Sequence, residues 1–249
     1  MKKTLTALLM TSAILPFAAS ADTVFGVYAG GQYWHTDTSG SFADSNNLRK
    51  FDFSSDQQSS LYISVEHPIP LIPNIKVRHN QLEANGMTTL ASDFSFANQS
   101  WSAGSSVQTL IDLTHTDFTL YYEILDNDLT ALDLGVTAKR VEGLLAVRDV
   151  NQSAELAGDG WVPTLYAHGR FGIPATDFTI YALANAVSID DNSIRDMEAG
   201  LEYRLVENLA VDINLQLGYR SVTIELDDLD GIYSDLRFKG PYLGLEIHF

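Results

Sequence analysis

The last ten residues, Gly240-Pro241-Tyr242-Leu243-Gly244-Leu245-Glu246-Ile247-His248-Phe249, place Leu243, Leu245, Ile247 and Phe249 at every second position. Period two belongs to a strand, so these four apolar groups share one face while Gly244, Glu246 and His248 take the other. A strand with one dry face needs a second layer to cover it or a lipid environment that accepts it.

The same period recurs through the chain. Phe25, Val27, Ala29 and Tyr33 oppose Gly26, Tyr28, Gln32 and Trp34, and Leu61, Ile63 and Val65 oppose Tyr62, Ser64 and Glu66. Ile75 and Val77 follow, then Phe118, Leu120, Tyr122 and Ile124, then Leu132, Leu134, Val136 and Ala138. Leu165, Ala167 and Phe171 alternate with Thr164, Tyr166, His168 and Arg170, and Phe178 to Ile189 forms a segment whose two faces differ little. Met197 to Leu205 and Leu209 to Tyr219 have the cleanest alternation. With the closing segment these make ten strands; eight is the alternative if the segments around the sixth and seventh are not both strands.

The spacers come in two kinds. Pro68-Ile69-Pro70-Leu71-Ile72-Pro73-Asn74, Asp126-Asn127-Asp128, Ile173-Pro174-Ala175-Thr176 and Glu207-Asn208 end strands by turn chemistry or by proline's missing donor. On the opposite side, Thr36–Ser55, Glu83–Ser105 and Asn151–Gly160 are longer and polar and read as loops, as does the shorter Asp227–Ile232. On that side Asp190-Asp191-Asn192 is short, the exception. Even strand number, short turns on one side and mostly longer loops on the other fit an all-β, transmembrane, antiparallel up-and-down β-barrel with both ends on the short-turn, periplasmic side. A soluble two-sheet sandwich would bury the same alternating residues.

The N-terminus favours lipid over sandwich. Lys2 and Lys3, the apolar run Leu5–Ala18 and the small residues Ala19-Ser20-Ala21 read as a secretory signal peptide cleaved after Ala21. Residues 22–249 then form a single outer-membrane barrel domain. Without Lys2 and Lys3, 13 basic residues face 32 acidic ones, a net charge of −19. That excess argues against a nucleic-acid partner. With no cysteine, neither a disulfide nor a thiolate metal site is available.

The run Tyr121-Tyr122-Glu123-Ile124-Leu125-Asp126-Asn127, the segment Leu132-Asp133-Leu134-Gly135 with Lys139, Tyr203-Arg204-Leu205 and Gly218-Tyr219-Arg220 resemble a family of small uncharacterised proteobacterial outer-membrane β-barrel proteins. The C-terminal Leu243, Leu245, Ile247 and Phe249 are similar to the insertion signal of such barrels. The resemblance implies a barrel in the bacterial outer membrane, in contact with lipid and lipopolysaccharide and delivered by the barrel-insertion machinery. It supplies no catalytic residues, metal or cofactor, and leaves any surface ligand unknown.

In a barrel the polar face lines the lumen. It carries Glu66, Asp117, Glu123, Asp133, Asp196, Glu198, Glu202 and Asp212, with Lys76, Arg78, Lys139, Arg170, Arg204 and Arg220, and His168 beside them. Eight acids against six bases in a narrow cylinder predict a packed charge network and a largely plugged lumen. The expected role is structural or surface-interacting, and the alternative is a narrow channel for small solutes or ions. A weaker alternative, an outer-rim hydrolase, would use His35 with Asp190 and Asp191, or His115 with Asp117, although no nucleophile motif accompanies either pair. Asp227-Asp228-Leu229-Asp230-Gly231 lacks the ligand spacing of a calcium loop.

Overall fold

The computed structural model describes residues 25–127, 129–208 and 211–249; residues 1–24, which include the segment read as a signal peptide, and Asp128, Leu209 and Ala210 lie outside them. Ten strands close a barrel: β1 (Gly26–Ala43), β3 (Asp56–Glu66), β4 (Asn74–Asn80), β9 (His115–Asp126), β10 (Thr130–Arg148), β11 (Ser153–Gly172), β12 (Phe178–Ile189), β13 (Asn192–Glu207), β14 (Asp212–Leu229) and β15 (Ile232–His248). Every neighbouring pair is antiparallel, and each strand neighbours the next barrel strand in the chain. The seam is β1 against β15, with Tyr28 opposite His248 and Tyr33 opposite Leu243. Val27 and Phe249 exchange two backbone hydrogen bonds, of 2.9 and 3.3 Å, so both ends of the sheet meet at one rim, here the near end.

The alternating apolar residues face outward. Leu61 is 66% exposed, Leu165 71%, Leu217 60% and Leu243 52%. A sandwich would have buried them, so the choice left open by alternation is decided: they form an apolar belt around a closed cylinder.

Beyond the belt the strands keep going, which differs from the expected outer loops. β1 runs on to Ala43, and β2 (Arg49–Phe51) pairs with it inside the stretch read as a loop from Thr36 to Ser55. β11 begins at Ser153, so most of Asn151–Gly160 is strand. In place of the loop at Glu83–Ser105, β5 (Glu83–Thr89) pairs with β8 (Ser106–Asp112), and β6 (Phe94–Phe96) forms a small hairpin with β7 (Gln99–Trp101). Asp227–Ile232 is mostly strand too, closing in a tight turn where Asp228, Asp230 and Gly231 all take positive φ. Of its acids, Asp227 and Asp228 end β14 and Asp230 sits in the turn. The cause of these misreadings is composition: Ser, Asn, Asp and Gly crowd these segments, and they hide a period-two pattern whose outward face is polar.

The sidedness inverts along the barrel axis. In the far half, Phe42, Phe51, Phe96, Val107, Ile111, Leu236 and Phe238 point inward and are at most 2% exposed. Phe51 stacks on Phe42 with ring centres 4.6 Å apart, and the β6–β7 hairpin lays Phe94, Phe96 and Trp101 over them. Arg49 donates to the Asp93 carbonyl at 2.9 Å, and the Ala97 amide donates to Asp44 at 2.7 Å, which fixes the hairpin in the mouth. Each such buried aromatic contributes on the order of 1.5–3 kcal/mol of transfer free energy. The far half is thus a water-facing barrel with an apolar core, continuous with a lipid-suited half whose interior is charged.

Candidate functional site: the charged lumen

Inside the belt, alternation points every second side chain of β3, β4, β9, β10, β13 and β14 to the axis, where charges from remote parts of the chain meet. Arg220 on β14 lies at the centre, 1% exposed. Its Nε and Nη2 donate to the two Asp196 oxygens at 2.9 and 2.7 Å. Nη1 donates to Ser60 at 3.0 Å and Nη2 also to the Asn80 side-chain oxygen at 3.0 Å, while the guanidinium lies 4.9 Å from the Trp34 ring centre. This saturates one face of the fork that planar bidentate pairing provides.

Glu198 completes the middle layer. It accepts from Arg78 at 2.5 Å and from Gln32 at 3.0 Å, and Arg220 Nε stands 3.4 Å away. Lys139 donates to both Asp117 oxygens at 2.7 and 2.9 Å, and Asn80 adds a bond at 3.2 Å. Three acids and three bases therefore neutralise one another across β4, β9, β10, β13 and β14, with neutral Ser60 of β3 as a further acceptor. Low dielectric makes each unmatched member of such a layer costly, and here each has a partner.

His115, Asp117 and Asp196 could in principle converge on a cation, since one ligand atom from each lies within 4.8 Å of the others. His115 Nδ1 donates to the Leu113 carbonyl at 2.8 Å, and its Nε2, 4.0 Å from Asp117, has no hydrogen-bond partner among the described residues. Yet both carboxylates are already held by Lys139 and Arg220, and an added cation would have to displace or repel two buried cations. These residues act as part of the network.

Nearer the termini, Arg170 donates to Glu202 at 2.5 Å, His168 Nδ1 lies 3.3 Å from Asp133, and Asn74 donates to Glu123 at 3.0 Å. Tyr121 donates to Glu66 at 2.8 Å, and Lys76 sits 4.4 Å over the Tyr62 ring. Two small polar cavities of about 110 and 90 Å³ open here, sharing Tyr28 and Arg170 in their linings. Both are large enough for water. Arg204 and Asp212 lie at the near rim instead of the packed layer: Arg204 pairs with Glu207 at 2.8 Å, and Asp212 faces His248 at 3.6 Å.

Sequence reasoning counted charges and missed the neutral partners. Gln32, Tyr62, Asn80 and Asn185 are all at least nine-tenths buried in the lumen. It also omitted Glu246, which accepts from Tyr62 at 2.7 Å, although its parity with Gly244 and His248 already placed it inward. Tyr181 and Tyr242 share a short hydroxyl contact across the barrel.

The rim residues do not assemble. His35 lies on β1 with its Nδ1 against Gln57 at 2.6 Å, whereas Asp190 and Asp191 form the β12–β13 turn, with β14 and β15 between. At that part of the far end, Ser193 and Arg195 donate to Glu225 at 2.7 and 2.6 Å, and the Ser193 bond leads in holding its carboxyl below the usual range.

No protein-family model and no curated protein matches the sequence. The family resemblance therefore rests on the strand-face motifs alone. Among solved structures, the chain is similar to outer membrane protease OmpT from Escherichia coli, at 8% identity over 94% of this chain and 99% of that one, with a TM-score of 0.49. It is also similar to the transport unit of the Escherichia coli autotransporter AIDA-I (8% identity, 94% and 92% covered, TM-score 0.43) and to Neisserial surface protein A (12%, 91% and 98%, 0.31). The fold stated above rests on this chain's own strand pairing.

Proposed function

We propose that this is an integral outer-membrane β-barrel, near end in the periplasm and far half outside the cell, with a plugged lumen and a structural or surface-interacting role. The observation that carries this reading is the double seal: a saturated layer of ion pairs around Arg220 inside the belt, and an aromatic core beneath the β6–β7 hairpin above it. A spanning sheet has to satisfy its backbone groups internally, and the β1–β15 ladder closes the sheet on itself. The belt and the closing Phe249 suit lipid and the insertion machinery, in keeping with the resemblance to small proteobacterial barrels. The acidic excess falls largely outside the balanced middle layer, so rim and far half present a negative surface to partners.

The test is planar-bilayer conductance of the refolded mature chain, after a heat-modifiable gel shift has shown the barrel to be folded. A folded, electrically silent barrel is expected. Discrete conductance steps that vanish on heating would replace this reading with the channel, for which the two near-end cavities would be the entrance.

A further inference from the structure

The barrel wall forks between β11 and β12. β11 pairs with β12 from Gly172 opposite Thr179 as far as Leu165 opposite Ala186, and there the ladder stops. β11 continues to Ser153 on β10 alone, and β12 continues to Ile189 on β13 alone. The next residues in register would be Thr164 with Val187 and Pro163 with Ser188. Proline has no N–H to offer a ladder, and it stands where pairing is lost.

The fork holds a cleft of about 520 Å³, lined by Val136, Pro163, Leu165, Ala186 and Val187, with Arg195 at its rim. That volume and an apolar wall with one oriented charge are the usual character of a small-ligand site. Its position selects the ligand. Leu165 and Val136, 71% and 55% exposed, belong to the belt, so the cleft is continuous with the surface that faces lipid tails. On the flank, Trp161 packs on Phe118 at 5.7 Å with Arg140 5.9 Å from its ring, the pairing of aromatic and cation that marks a membrane–water boundary. The cleft therefore lies where a lipid's tail meets its head group.

Arg195 supplies the head-group contact. Its bonds to Ser193 and Glu225 both run through Nη2. Nη1 and Nε have no hydrogen-bond partner among the described residues, and the side chain is half exposed. Half of a planar guanidinium fork, held in place from behind, suits a phosphate oxygen.

We infer that this fork is a binding site for one phosphate-bearing lipid of the outer leaflet, an acyl chain lying in the cleft and the phosphate on Arg195. The inference rests on the outer-membrane reading. Native mass spectrometry of the folded barrel in detergent, with dimyristoyl phosphatidic acid or the phosphate-free dimyristoyl glycerol added, tests it. One phosphatidic acid should stay bound, about tenfold better than the diacylglycerol, the scale of one charge-assisted hydrogen bond. Ala186→Phe, which fills the cleft, should abolish retention of either lipid, and Arg195→Gln should keep the chain but lose the preference. Equal retention by wild type and Ala186→Phe would show only annular lipid and overturn the site. A preference that survives in Arg195→Gln would overturn the head-group assignment. Both variants are compared only after showing the wild-type heat-modifiable shift. A wild-type chain that shows the shift yet fails to retain lipid sinks the site alone, whereas one that never folds in detergent or inserts in bilayers sinks the membrane reading with it.

Discussion

Arg220 touches Asp196, Glu198, Ser60, Asn80 and Trp34 at once, so its removal leaves more than one group without a partner. Arg220→Leu should destabilise the barrel by about 3–5 kcal/mol, because Asp196 and Glu198 would stay buried with too little countercharge. Urea unfolding from lipid vesicles, followed by tryptophan fluorescence, reads this, and Arg220→Leu combined with Asp196→Asn should recover part of the loss. An unchanged midpoint for the single variant would mean that water reaches the layer and screens it. Parity in the sequence assigned Arg220, Asp196 and Glu198 to one interior, and that much was legible. Their pairing was not, since Arg78 meets Glu198 across 120 positions of chain and alternation says nothing about height along the axis. The neutral groups were hidden for another reason: Gln32 and Asn80 look like ordinary polar strand residues until a charge is found beside them.

Among elements, the clean alternation of β13, β14 and β15 made them readable because one face is uniformly apolar where it meets the belt. The far-half strands were not, because their apolar side is the inner one and is interrupted by Thr36, Thr38 and Gly40. The β6–β7 hairpin was read as loop, although Phe94, Phe96 and Trp101 hold the mouth shut. Phe96→Ala should cost about 3–5 kcal/mol locally. Protease should then cut around residues 90–105 while the heat-modifiable shift of the belt half persists. Loss of the whole barrel instead would show that the two halves fold as one. At the seam, Gly240 presses on β1: a Cβ there would fall 1.9 Å from the His35 carbonyl oxygen. Gly240→Ala should therefore force β15 from β1 and lower the folded fraction on refolding, as read by the gel shift; an undiminished yield would mean the seam gives way easily.

At the scale of the whole molecule, closure and delivery are separate matters. Phe249 is 54% exposed and contributes its backbone bonds to Val27 whatever its side chain. Phe249→Ala should leave refolding in detergent nearly unchanged but reduce the amount of barrel assembled in cells, measured by membrane fractionation. Equal assembly would remove the C-terminal strand from any signalling role. The inversion of sidedness along the axis also gives the two halves different thermal characters. Exposing apolar surface to water raises heat capacity and exposing polar surface lowers it. Unfolding the aromatic far half releases the first kind, while opening the lumen of the belt half, whose outer face can stay in lipid, releases the second. One continuous sheet thus joins a half governed by water's heat capacity, weakening on cooling, to a half whose strength is set by charge pairing and lipid.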